Sequence, residues 1–324
     1  MTPAENRGST AGPPDGVVLR RPSRVDFAAI TALSTADEVL RFGEPTTTLE
    51  SVTARWSLPG LDLQMDTWVA CDPSGRLVGE GWVWALDPSR DFWGNIVVAQ
   101  DTGVSVLGPH LLALVEERTR ALALSAPAGR TTDLGFYCPA RAADYAALFG
   151  GAGYAVVRHS FRMVADPHSC DTTAPVPASI EIRPLDPACD GPAVHAALEE
   201  AFVEHFRNVP EPYEMFTAEV FENPAFDPTT WLVAWDGDEV AGALGAFDYR
   251  AHVDVEALGV RKQWRGRGVA KALLSTAFAI FAARGRTKVG LYVDAANATG
   301  AVELYTGAGM RVAQDFELWL KPIG

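Results

Sequence analysis

Residues 265–274 read RGRGVAKALL, two glycines and three cations ahead of an apolar run. Gly266 and Gly268 carry no Cβ, so their amides can approach a ligand closely. The first amides of a helix have no partner within it and lie at the positive end of its dipole. With Arg265 and Arg267 beside them, such amides make a site for an anion, most naturally a pyrophosphate. Other phosphate and nucleophile patterns fail. The chain has no GxxxxGK followed by Ser or Thr, and Lys271 or Leu273 stands where the third glycine of GxGxxG would fall. In GVSVLG, residues 103–108, Leu107 breaks the nucleophile-elbow pattern. Cys71, Cys138, Cys170 and Cys189 form no CxxC pair and HExxH is absent, so no metal is expected.

The elements needed to present that anion site are legible around it. A strand, DVEALGV, runs into the glycines, and Val269, Leu273, Leu274, Ala277, Phe278 and Phe281 recur at helical spacing after them. The surrounding stretch predicts a strand over 181–184, helical stretches over 191–205 and 212–222, and a hairpin over 231–248. A strand over 253–260 and a helix over 268–283 follow, then a strand over 288–293, a helix over 298–307 and a last strand over 311–320. This order describes an α/β module around a mixed sheet.

The same module is written twice. Arg21 in VVLRRP falls on Arg183 in IEIRPL, and Trp68 and Gly79 fall on Trp231 and Gly242 in two similar hairpin sequences. YAALFGGAGY (145–154) matches AVELYTGAGM (301–310) in the same order. Between the copies, residues 166–179 are rich in Pro, Ser, Thr and Asp, a linker composition. The expected organisation is a disordered tail (1–16), a first module (17–165), the linker (166–179) and a second module (180–324).

A length of 324 residues agrees with two domains. A net charge of −14 excludes a typical nucleic-acid binder and favours neutral or cationic partners. The N-terminal residues lack a signal-peptide pattern and no apolar run is long enough to span a membrane, so a cytoplasmic protein without membrane partners is expected.

LGVRKQWRGRGVAKALL resembles the acetyl-CoA motif of the GCN5-related N-acetyltransferases, Q/R-x-x-G-x-G/A, with Arg265, Gly268 and Ala270 on its fixed positions. NATGAVELYTGAGM is similar to that family's second signature at Asn297, Leu304, Tyr305 and Gly309, with Met310 in place of the usual aromatic. The resemblance implies a mixed sheet that splays between its fourth and fifth strands to admit pantetheine. It implies acetyl-CoA as co-substrate, held by Arg265, Gly266, Arg267, Gly268, Val269, Ala270 and Asn297 and by the amides near Leu258 and Val260. It implies direct acyl transfer to an amine, with Glu256 at the usual position of the base and Tyr305 at that of the acid. Asp254 and His252, on the same strand face, could serve as a base through water instead.

The first copy lacks this chemistry. With Val98 opposite Val260, Gly103 falls on Arg265, Val104 and Val106 replace Gly266 and Gly268, and Pro109 follows Gly108. Phe149 replaces Tyr305, Arg141 falls near Asn297 and Gly94 sits opposite Glu256. The first copy is therefore expected not to bind acetyl-CoA productively. The acceptor is expected against residues 194–227 of the second copy, where carboxylates interleave with aromatics, with Glu204, Tyr213 and Glu214 as contacts. Such a wall suits a cationic amine, and it would equally serve as the solvated face of an acidic protein. The resulting expectation is an N-acetyltransferase acting on a primary amine of a small cationic molecule. The tandem layout also resembles mycothiol synthase, whose C-terminal copy acetylates a cysteinyl amino sugar. A non-catalytic acyl-CoA sensor or scaffold is the reading from another class.

Overall fold

The computed structural model describes residues 13–58, 60–85, 91–124, 132–208, 210–249, 252–296 and 300–323. Most of the expected tail and Asn297 lie outside these. The chain divides into two compact units, residues 1–159 with 315–324, and residues 160–314.

In the first unit the strands are β1 (Val18–Arg20), β2 (Thr67–Cys71), β3 (Leu77–Trp84), β4 (Phe92–Val98) and β5 (Thr132–Pro139). Helices α1 (Phe27–Phe42) and α2 (Leu49–Arg55) follow β1, α3 (Val104–Ala123) links β4 to β5, and α4 (Ala143–Gly151) precedes β6 (Ala155–Ala165). β1 to β4 pair antiparallel in order, and β4 and β5 pair parallel. One core lies under α3 and α4, and a smaller one under α1 and α2.

The second unit contains β7 (Glu181–Pro184), α5 (Gly191–Phe202), α6 (Tyr213–Phe216), β8 (Leu232–Asp236), β9 (Glu239–Asp248) and β10 (Val253–Val260). α7 (Val269–Ala283), β11 (Val289–Asp294), α8 (Ala301–Gly307) and the start of β12 (Arg311–Ile323) complete it. β7 to β10 pair antiparallel in order, and β10 pairs parallel with β11. The buried stripe of α7, including Leu273, Leu274, Phe278 and Phe281, packs on β8 to β10 as its helical period requires. On the opposite face, α5 and the segment after it cover a core of Val194, Leu198, Phe216, Val220 and Trp231.

This division departs from the sequence copies at their ends. Residues Ser160–Ala165 of β6 pair with β11, and Phe316–Ile323 of β12 pair with β5. Each copy's last strand thus completes a sheet made mainly from the other copy. Linker composition also conceals an ordered path. Residues Pro167–Ser169 form a 3₁₀ turn, Asp171 pairs with Lys271 at 3.3 Å, and the Ala174 amide donates to Ser275 Oγ at 3.1 Å on α7. The expected helix over 212–222 is short α6 followed by a π-helical turn, Thr217–Phe221.

Candidate active site

β10 and β11 share a ladder at two positions, Val253 with Val289 and Asp254 with Gly290. Beyond Asp254 the described ladder stops while β10 remains paired with β9 out to Val260. The far edge of β10 therefore opens into a wedge. A cavity of about 300 Å³ occupies its mouth, walled by Leu258 to Val260, the loop through Gly268, the start of α7, and Tyr305 on α8. The fourth wall is the end of α5 with Phe202, one of the aromatics expected on the acceptor side, and His205, which sequence patterning did not single out.

The anion-binding loop is built as its sequence requires. Gly266 and Gly268 have φ of +74° and +89°, and Gly268 is the N-cap of α7. A side chain at Gly268 would be strained in this conformation, whereas glycine allows the chain to turn into the helix there. The amides at the start of α7, on Val269 and Ala270, have no partner within the helix and border the cavity.

Arg265 lines the cavity and also braces its wall. Its guanidinium donates to Val260 O at 3.1 Å, Ala201 O at 2.9 Å and Glu204 Oε2 at 2.8 Å. It thus fastens the end of α5 to the end of β10, and a ligand would meet the wall it shapes. α5 comes close enough because residue 259 is glycine; a Cβ there would lie 2.9 Å from Leu198 and 3.0 Å from Ala201.

Glu256 marks the other mouth of the wedge. The β9–β10 register shifts between Val255 and Ala257, so Glu256 occupies a bulge. A bulged residue leaves the ladder and re-aims its side chain. Glu256 is open to solvent, yet it sits in a recess crowded by protein. That desolvation first, then the charges of Asp254 and Glu219, raise its carboxyl above the usual range. Glu219 is carried by the π-helical turn, a feature that often marks functional sites. Next to it, burial, then Glu219 and Glu199, push Glu211 up to about 7. Glu211 Oε1 is buried and has no hydrogen-bond partner among the described residues. The Tyr305 hydroxyl is held by burial at about 12, well inside the protonated range at neutral pH.

The acetyltransferase (GNAT) family model matches residues 193–310. Mycothiol acetyltransferase of Thermobispora bispora is 30% identical over 239 residues, covering 69% of this chain and 74% of that protein. The chain belongs to the GNAT family. Other mycothiol acetyltransferases are matched over about half their length, 45% and 46% in two cases. A GCN5-related N-acetyltransferase from Sphaerobacter thermophilus superposes with a TM-score of 0.86 at 29% identity, covering 96% of this chain and 97% of that one. A tandem GNAT protein from the clavulanic acid biosynthesis pathway superposes with a TM-score of 0.71 at 16% identity, covering 95% and 99%, and shares the fold.

As a GNAT chain, the protein has a parallel strand pair that parts early in each of its two units. In the first unit β4 and β5 also part early, after Phe92, Trp93 and Gly94. There the Val98 amide donates to the Tyr145 hydroxyl at 3.0 Å, and both groups are buried. Phe149 stacks on Phe136 with ring centroids 4.6 Å apart. Aromatic side chains thus occupy this edge of β4, while a cavity of about 490 Å³ lies between α1 and the end of β4.

The expected acceptor contacts divide. Glu204 is taken up by Arg265, which lines the cavity, and, at 3.4 Å, by Lys262. Tyr213 packs in the α5–α6 core, stacked on Phe216 at 6.2 Å and tilted against His195, and Glu214 is exposed. The groups whose charges reach Glu256 are Asp254 and Glu219, and the charge of Glu256 in turn raises Tyr249. Periodicity could not select Glu219 from the many acids between 199 and 227, because a π-turn breaks the period that would place it.

Proposed function

We propose that the protein transfers an acetyl group from acetyl-CoA to the primary amine of a small cationic acceptor at the wedge of the second unit. The observation that supports this reading is the cavity that joins the open edge of β10 at Leu258 to Val260 with the glycine loop and Tyr305, just beyond the bulge at Glu256. The loop fits the expected co-substrate: free helix-start amides and glycines suit a pyrophosphate, and the strand edge at Leu258 and Val260 offers amides to a pantetheine arm. Arg267 lies in the same loop and adds positive charge. When bound, acetyl-CoA supplies the acetyl group as a thioester whose C–S bond breaks as the C–N bond forms.

The chain's own residues handle the protons. An alkyl ammonium with a pKa of ~10.4 has no free electron pair at neutral pH, so a base must take one proton before attack. Glu256, whose carboxyl is raised above the usual range by burial and by Asp254 and Glu219, is suited to accept it. Tyr305, kept protonated by burial, is suited to give a proton to a departing thiolate of pKa ~8.5 and to be reprotonated, through solvent, by the second proton that the nitrogen sheds in becoming an amide. The acids around Glu256 repel one another, and a bound cation would relieve that repulsion.

The similarity to mycothiol acetyltransferases favours, as a second reading, a thiol-bearing amino-sugar conjugate as the acceptor. The test is a turnover screen with acetyl-CoA against aliphatic diamines, amino sugars and a cysteinyl amino sugar, following free CoA release. Acetylation of one class identifies the acceptor chemistry. Binding of acetyl-CoA without turnover on any amine would instead support an acyl-CoA sensor.

A further inference from the structure

We propose that Arg162 is a positioning residue for Glu256, acting through Asp254 across β11. This rests on the reading of Glu256 as the base. Arg162 lies on β6 opposite Tyr292 of β11, and its residue is 3% exposed. Its guanidinium donates to Tyr292 Oη at 3.1 Å and to Asp254 Oδ1 at 3.1 Å. To do so it crosses an entire strand. Gly290, the β11 partner of Asp254, makes the crossing possible, because a Cβ there would lie 3.0 Å from Arg162 Nη2 and 3.3 Å from Asp254 Oδ1.

Asp254 is the last residue of the β10–β11 ladder, so the bridge is fastened where the two strands part. Glu256 leaves the ladder two residues later. The bridge therefore sets both the vertex of the wedge and the charge beside the bulge. The groups facing Glu256 are Asp254 on its own strand, Glu219 from the π-turn and Tyr249 at the end of β9. His252 shares Asp254, with Nε2 3.1 Å from Oδ2, and Tyr292 shares Arg162. Asp254 and Glu219 both disfavour ionisation of Glu256, and Arg162 is a cation that balances Asp254. A buried arginine stays charged at all accessible pH values, so the balance does not lapse where the base operates.

The experiment follows Glu256 itself. Protein labelled with ¹³C at the glutamate carboxyls is titrated by NMR, and the Glu256 resonance is assigned by its loss in Glu256→Gln. Arg162→Met should raise the Glu256 midpoint, and Asp254→Asn should lower it, each by about half a pH unit or more. Arg162→Lys should return the midpoint toward that of the unaltered protein. The two main substitutions break the same bridge, so a merely structural role would not move the midpoint in opposite directions. If Arg162→Met fails to fold, Asp254→Asn and Arg162→Lys decide. An unmoved midpoint, or shifts of the same sign, would overturn the inference alone. Full amine turnover by Glu256→Gln would remove the base reading and with it the catalytic meaning of the bridge.

Discussion

The Tyr145 hydroxyl accepts a hydrogen bond from the Val98 amide at 3.0 Å, at the strand position that corresponds to Val260 in the second unit. One side chain thus occupies the edge amide that the second unit leaves beside a cavity. In the first unit that amide is taken up by the protein's own side chain. Tyr145→Phe keeps the ring and leaves a buried amide without its acceptor. It should lower the stability of the first unit by about 1–3 kcal/mol. Chemical denaturation followed by tryptophan fluorescence measures this, and an unchanged midpoint would show that the amide finds another partner.

Glu256→Gln should reduce kcat by ~10²- to 10⁴-fold while leaving acetyl-CoA affinity within about twofold. In the unaltered protein a protonated base is inactive, so kcat/KM should fall as pH drops through the titration of Glu256. Because the carboxyl is raised, that limb should lie above the ordinary glutamate value of ~4.3. A pH series with a fixed amine gives the position of the limb. Its persistence in Glu256→Gln would assign the base to another group.

Tyr305→Phe should slow turnover by ~10²-fold with little change in acetyl-CoA binding, since the ring remains packed on α8 and only the proton donor is lost. The loss should be smaller for a thioester donor with a more acidic thiol, which departs without help. Equal losses for both donors would leave Tyr305 as a wall of the cavity.

Stability should also report on Glu80, which is fully buried on β3. It accepts from Ser34 Oγ and Asn95 Nδ2 at 3.3 Å each, while its second carboxylate oxygen has no partner among the described residues. Burial pushes its carboxyl up to about 7. A raised carboxyl binds its proton more tightly in the folded state. Stability is therefore greatest below the unfolded value of ~4.3 and falls as pH rises to about 7. Glu80→Gln should flatten that decline and add roughly 2–3 kcal/mol at pH 8. Denaturation at pH 5 and pH 8 tests it, and an undiminished slope would contradict it.

Much of this was legible before the fold was known. The strand over 253–260 and the helix near 268–283 follow from alternation and helical spacing, and the glycines between them from the need for open amides. The paired sequence copies located the first unit's counterpart of the wedge. Other features depend on long-range geometry. The sequence of β12 reads as a closing strand, but nothing local states that it pairs with β5. Arg265 occupies a motif position, yet its three acceptors lie on α5, β10 and the turn after α5. Arg162 belongs to no motif because its partner stands two strands away. Glu219 depends on a π-turn, whose period no amphipathic pattern announces.

The central claim is that a single formed site, in the second unit, holds acetyl-CoA. Calorimetric titration of the full chain with acetyl-CoA tests it most directly, alongside Gly268→Val. The account predicts one site per chain and no measurable binding by the variant. Two sites per chain, or binding that survives Gly268→Val, would contradict it.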